Sequence, residues 1–302
     1  MIRIGVDLGG TKTEAIALGA DGTILTRKRI ASASRYADAV ESIRALVADI
    51  RQSAGSTTAS IGVGHPGSIN PRTGLVRNAN SSHLNGQSLQ RDLADALGQE
   101  VRCANDANCF ALSEATDGAG AGAHCVFGVI AGTGVGGGIV IGGRLHDGGG
   151  LIAGEWGHTA LPRPSADEIP GPQCGCGRLG CVESWCSGPA LARDHARVTG
   201  ESLTAEQIAA KAAQGDVKAM ATLDRHADRL ARALSTIVNV LDPDVIVLGG
   251  GLSNLPGLAA DLETRLAPHV FTDEFRTRVA VNRHGDSSGV RGAAWLWPLE
   301  AR

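Results

Sequence analysis

Two stretches of this chain share one plan: an apolar run, a turn of glycine and threonine, and a second apolar run. They are "IGVDLGGTKTEAIAL", starting at Ile4, and "CVFGVIAGTGVGGGIVIGG", starting at Cys125. Apolar, β-branched runs on either side of a glycine turn read as hairpins. Glycines in such a turn let successive backbone N–H groups approach an anion closely. A third cluster, "LGGG" at 248–251, also follows an apolar run. Glycine is costly in chain entropy, and one nucleotide lying across all three clusters would account for them. The first turn, "DLGGTK", matches neither the Walker A pattern nor G-x-G-x-x-G, and by itself it is equally a plain hairpin. Chance similarity of two glycine-rich hairpins is the competing account of the echo.

The segments around these turns alternate between strand and helix, which predicts an α/β architecture. Ala39, Ile43, Leu46, Val47 and Ile50 recur at helical spacing. "ASIGVGHPG" reads as a buried strand entering a loop, and "NDANCFALSEATDG" as a helix opening with Asn and Asp. Thr204 and Gln207 are spaced as a capping box. Residues 217–241 carry a three-four stripe that includes Val217, Met220, Leu223, Leu230 and Leu234. Asn254 and Pro256 mark the start of a further helix, and Asp286 or a serine caps a last one. The best boundary is "TDGAGAGA" at 116–123. It gives an N-terminal α/β domain over 1–119, with a C-terminal helix at 287–302 packing back on it, and a larger domain over 120–286.

With 302 residues, 43% of them hydrophobic and 20% charged, the chain reads as folded and globular. A net charge of −3 gives no electrostatic case for nucleic acid or an anionic membrane as partner. The first residues lack the marks of a signal peptide, and no apolar run reaches a membrane span. The expected compartment is the cytoplasm, where structural disulfides are rare.

That compartment bears on "QCGCGRLGCVESWC", residues 173–186. Cys174, Cys176 and Cys181 place three thiolates together, and His158 in "GEWGH" supplies a fourth ligand for a tetrahedral Cys₃His zinc site. A disulfide is the alternative. Four protein ligands leave no open position, so such a zinc is structural. Cys186 reads as packing, and Cys103, Cys109 and Cys125 as buried small hydrophobes. Glu155 and Glu183 flank the ligands. With the free nitrogen of His158 they form a set of donors and acceptors suited to a polyhydroxylated ligand, or they are solvated loop charges. In "ANDANCFA", Asp106 sits where a strand meets a helix, a place for the proton acceptor of a sugar hydroxyl attacking a phosphate. Asn105 has the donors and acceptors for sugar hydroxyls. The competing account is an N-cap pair serving only the helix. Asp7, at the end of its strand, is placed to hold a water on Mg²⁺.

Taken together, "DLGGTKTE", "GHPGSI", "NANSS", "NDANCFALSEA", "GTGVGGG", "GEWGH", "CGCGRLGCVES" and "LDPDVIVLGGGLSN" resemble the ROK (repressor, open reading frame, kinase) family. The resemblance covers nearly the whole chain in family order. It implies an actin-like, ribonuclease-H-type fold of two α/β domains with an ATP and sugar cleft. It also implies an ATP:hexose 6-phosphotransferase working as a homodimer. Asp106 would be the base. Gly67, Asn80, Asn105, Asp106, Glu155, His158 and Glu183 would bind the sugar. Gly9, Gly10, Thr11, Lys12, Gly132, Thr133, Gly134, Gly136, Gly250 and Gly251 would hold ATP, with Mg²⁺ near Asp7. His158, Cys174, Cys176 and Cys181 would hold zinc. Repressor members carry an N-terminal helix-turn-helix, whereas here the first strand begins at Ile2, so a kinase is expected over a sugar-responsive regulator. "RNANSSHLNGQ" and the tail "HGDSSGVRGAAWLW" look most like manno(fructo)kinases, which points to fructose, with mannose as a further substrate. N-acetylglucosamine kinase and glucokinase are the alternatives within the family.

Overall fold

The computed structural model describes residues 2–298, and its contacts divide the chain into two units. Among the described residues, the first unit comprises 2–121, 138–153 and 286–298 and the second 122–137 and 154–285. Residues 138–153 thus group with the first unit, whereas the sequence reading assigned them to the second domain. The last part of the expected C-terminal helix, residues 299–302, lies outside the described residues.

In the first unit, β1 (Ile2–Leu8), β2 (Lys12–Leu18) and β3 (Ile24–Ala31) are followed by α1 (Tyr36–Ser53) and β4 (Ala59–His65). A short pair, β5 (Ser68–Ile69) and β6 (Val76–Arg77), leads to α2 (Leu89–Leu97), β7 (Val101–Asn105) and α3 (Asp106–Asp117). The sheet order is β3-β2-β1-β4-β7. β1 pairs antiparallel with β2 and parallel with β4. This order puts the C-terminal ends of β1, β4 and β7 at one edge, where a parallel sheet opens toward ligands. Asp7, Gly67 and Asn105 all lie at or just beyond those ends. The predicted stripe on α1 is buried, and it packs with Ile4, Val6, Ile61 and Val63 of the sheet.

In the second unit, β8 (Cys125–Ala131) runs through the second glycine turn into β9 (Val135–Ile141). From Gly138 on, β9 groups with the first unit, as does the short β10 (Arg144–Leu145) that pairs with its end. Then come α4 (Val182–Cys186), α5 (Gly188–Thr199), α6 (Ala205–Ala213), α7 (Val217–Leu241), β11 (Val245–Gly249), α8 (Leu258–Leu266) and β12 (Arg278–Val281). Its strands follow the order β9-β8-β11-β12, with β11 parallel to both β8 and β12. The closing helix, α9 (Ser288–Trp295), groups with the first unit and rests on α3, β1 and β4. β1 and β4 present Gly5 and Gly62 to its backbone, and a Cβ at either would collide with the carbonyl of Val290 or Ala293.

Two local expectations change. Asn254 closes a short 3₁₀ turn, and Gly257, at φ +75°, is the N-cap of α8. The start of the α7 stripe faces solvent, with Val217 78% and Met220 52% exposed. Leu230 and Leu234 of the stripe are buried as expected, and the buried face also takes in Ala219, Thr222, His226, Arg229 and Arg232. Two of these are arginines because buried Glu168 pairs with them: Arg229 Nε donates at 2.7 Å and Arg232 Nη2 at 3.0 Å. Burial pushes the Glu168 carboxyl up, but hydrogen bonds from both arginines and the Ser165 backbone outweigh it and hold it at about 2. The loop between His158 and Cys174 is thus pinned at its middle to α7.

Candidate functional site

The first glycine turn is built tightly. Gly9 N–H donates to Lys12 C=O at 3.1 Å, and Ser32 Oγ donates to Gly9 C=O at 2.6 Å. Ser32 N–H donates to Thr11 C=O at 3.0 Å. Gly10, Thr11 and Lys12 stay exposed, and Lys12 Nζ stands 3.9 Å from Asp286. Asp7 lies one residue inside the strand end. Its carboxyl is raised to about 7, first by burial and then by the charges of Asp106 and Glu14. Glu14 is engaged by Arg27 and Arg29, which leaves the Asp7 carboxylate, a hard-oxygen donor of the kind Mg²⁺ takes, beside the turn.

Beyond β4, Gly67 has φ +76°, and a Cβ there would run into the backbone of Arg77 and Ala79, so only glycine fits. Its carbonyl accepts Asn105 Nδ2–H at 2.9 Å. Asn105 Oδ1 accepts the N–H of Ala107 at 2.8 Å and of Asn108 at 3.4 Å, an N-cap for α3. The helix-cap account of Asn105 is therefore present in full, and the cap also fixes the side chain against the Gly67 loop. Asp106 is exposed at the head of α3, its Oδ1 accepting Ala107 N–H at 2.8 Å. Asn80 is exposed on a loop closed by Asn85, whose side chain bonds both N–H and C=O of Ala79 at 2.9 Å. A Cβ placed on Gly10 would stand 3.5 Å from Ser81 Oγ of the same loop. The first unit thus gathers the turn 9–12, Asp7 and Asp106, with Asn80 on the Ser81 loop and Asn105 bound to Gly67.

In the second unit, Gly132 N–H donates to Gly134 C=O at 2.9 Å, and Gly132 C=O accepts from Gly188 N–H at 2.7 Å. Gly250, at φ +78°, packs against Ala131, and Gly251 lies close to Gly132. Thr133 is exposed, and Gly136 lies in β9. A cavity of about 850 Å³ opens from these turns, lined by Gly132, Thr133, Pro189, Thr204, Gly251 and Asn254 among others. Ser187 caps α5 and the Thr204–Gln207 capping box begins α6, so two helix N-termini border it. Such ends favour anionic groups. The size suits a nucleotide. Of this lining, the sequence points to Gly132, Thr133 and Gly251 as nucleotide-binding. Thr204 and Asn254 are legible in the sequence as cap positions, with no signal that they share a wall with each other or with Pro189.

The metal ligands converge. His158, Cys174, Cys176 and Cys181 place their ligand atoms within 4.8 Å of one another. Cys174 Sγ is 3.6 Å from His158 Nδ1, and Cys176 Sγ is 3.6 Å from Cys181 Sγ. Ligands around a tetrahedral zinc with Zn–S near 2.3 Å stand about 3.5–3.8 Å apart, so the donor set fits that ion. A disulfide needs sulfurs about 2.0 Å apart, and all seven cysteines are free thiols. Cys103 is half-buried, while Cys109, Cys125 and Cys186 are buried. Because Nδ1 faces the thiols, His158 Nε2 is the nitrogen left for another partner. Glu155 is exposed. Glu183 is committed elsewhere: its Oε2 accepts Val135 N–H at 3.0 Å and its Oε1 lies 3.7 Å from Cys174 Sγ.

The sequence pattern of the ROK family matches residues 3–300. An N-acetyl-D-glucosamine kinase of Yersinia enterocolitica is 39% identical over 297 residues, spanning 97% of this chain and 98% of the relative. Among solved structures, a ROK hexokinase from Thermus thermophilus superposes with a TM-score of 0.86 at 30% identity, covering 97% of each chain. A ROK family glucokinase from Streptomyces griseus, solved with glucose and AMPPNP, gives 0.80 at 30% identity, covering 98% of this chain and 99% of that one.

Proposed function

This chain belongs to the ROK family as a sugar kinase, and from that premise we propose that it transfers the γ-phosphoryl group of ATP to the 6-hydroxyl of N-acetyl-D-glucosamine. The observation that carries the choice of sugar is the 39% identity to an N-acetyl-D-glucosamine kinase along 97% of the chain. The leaning toward fructose rested on two short stretches, residues 77–87 and 284–297. A match over 297 residues outweighs them.

In this reading Asp106 is the general base. Its exposed position at the head of α3 and the cap at Asn105 support that role, since a base must be held still and reachable. As the sugar oxygen attacks phosphorus, its proton passes to the Asp106 carboxylate and ADP departs. Gly67, Asn80 and Asn105 of the first unit and Glu155 and His158 of the second would bind the sugar, whereas Glu183, expected to join them, has its carboxylate on Val135 N–H. The turns at 9–12, 132–136 and 250–251 take the nucleotide. Asp7 would hold Mg²⁺, which when bound neutralises the phosphate charge. His158, Cys174, Cys176 and Cys181 would hold a structural zinc that keeps the imidazole oriented.

The test is ADP release measured with N-acetyl-D-glucosamine, fructose, mannose and glucose. The expected ranking by kcat/KM has N-acetyl-D-glucosamine first. Fructose at the head of the ranking would reverse the choice of sugar, and no turnover with any of the four would remove the kinase reading.

A further inference from the structure

The segment from Cys181 to Gly188 runs from a metal ligand to the second glycine turn. Cys181 is both a ligand candidate and the N-cap residue of α4. Glu183, in the first turn of that helix, bonds Val135 N–H at 3.0 Å, directly after the turn. Gly134 leaves room for it, since a Cβ there would sit 2.6 Å from Glu183 Oε2. At the far end, Gly188 N–H bonds Gly132 C=O at 2.7 Å. The turn is therefore gripped on both flanks by one short stretch of chain whose start is fixed by the metal ligands. The approach to His158 makes a second link: Trp156 Nε1 donates to Gly136 C=O at 3.0 Å, with its ring edge-on to Phe127.

We propose that Glu183 is a positioning residue that ties the metal loop to the nucleotide turn, so that metal occupancy and nucleotide affinity are coupled. The proposal rests on the reading of turn 132–136 as a phosphate cradle. A turn that binds through its backbone N–H groups depends on those groups being aimed in advance. The carboxylate on Val135 N–H fixes the exit of the turn. Loss of zinc releases Cys181, the N-cap residue of the helix carrying Glu183, and Cys174, whose Sγ lies 3.7 Å from Glu183 Oε1, and with them the restraint on that carboxylate.

The experiment measures ADP binding by calorimetry without sugar, so the sugar reading does not enter. Glu183→Ala is expected to keep its zinc and to bind ADP roughly tenfold more weakly, the worth of one hydrogen bond to a charged group. Glu183→Gln keeps an acceptor for Val135 N–H and is expected to bind within about twofold of the parent. The parent stripped of zinc by a chelator, with its helical circular dichroism intact, is expected to weaken as Glu183→Ala does. Hydrogen exchange over residues 132–137 should accelerate in both. Parent-like ADP affinity in the zinc-free protein, or Glu183→Gln as weak as Glu183→Ala, would overturn the coupling. If Glu183→Ala does not fold, exchange at 132–137 in the parent with and without zinc decides, and unchanged exchange overturns it. A parent that binds no ADP removes the cradle reading instead.

Discussion

The two glycine hairpins look alike in sequence and are furnished differently. The first, at 9–12, has charge around it: Asp7 and Asp106 influence each other, Glu14 lies beside them, and Lys12 projects into solvent. The second, at 132–134, has no charged residue within the turn. It is held by backbone bonds and by Glu183, and it fronts a cavity of about 850 Å³. The difference teaches that a glycine turn supplies only an approach to an anion. Its neighbours decide whether the place also handles protons and cations or simply cradles. Ion pairing separates the two regions as well. Glu14 is buried, but its partners Arg27 and Arg29 are 40% and 41% exposed. Glu168, which braces the loop near the second hairpin, pairs with arginines that are themselves buried. Partly exposed pairs contribute little, whereas removing one partner of a buried pair is costly.

The largest expected effect tests the chemical half of the comparison. Asp106→Asn should lower kcat by about 10²–10⁴ while ADP affinity stays unchanged. Steady-state rates and ADP titration on the same preparation check this. A drop in ADP affinity with kcat preserved would make the first region a second cradle.

Next comes the buried pair. Glu168→Ala should cost about 3–5 kcal/mol in urea unfolding, because Arg229 and Arg232 are left buried without their carboxylate. The pH dependence follows from a carboxyl held at about 2 against an ordinary 4.5. The stability it contributes is present above about pH 4.5 and is lost as pH falls toward 2. Burial pushes the Asp194 carboxyl up, but the hydrogen bond from Arg197 and the charge of Arg229 outweigh it and hold it below its ordinary value, so Asp194 adds to the same trend. The parent should therefore lose stability more steeply than Glu168→Ala between pH 4.5 and 2. Parallel curves would mean that the anchor lies elsewhere.

The smallest effect separates two adjacent glycines of the second region. Gly250→Ala forces a left-handed φ on alanine and sets its Cβ 2.5 Å from Ala131 O, at a cost of about 1–3 kcal/mol and weaker ADP binding. Gly251→Ala has open space around its Cβ and should change the melting temperature by only a degree or two. Equal effects at the two positions would show that the turn tolerates more than its geometry allows.

Much of this molecule is determined by the sequence alone. The hairpins follow from apolar runs broken by glycine. The α1 face follows from its period, and the Asn105 and Thr204 caps follow from side chains that bond their own helix. The Cys₃His cluster was legible because three thiols fall within one short stretch, with an imidazole a loop's length before them in the chain. These are short-range signals, and a short range is where residue type and spacing carry physical meaning. What only the tertiary structure decided is long-range. It put Glu183 on Val135, Pro189 and Thr204 on one cavity wall, and Glu168 between two arginines of α7. It also turned the first residues of the α7 stripe outward. The physical reason is that a buried charge or an unpaired N–H must find its partner wherever the folded chain brings one within about 3 Å, and sequence spacing does not record that distance.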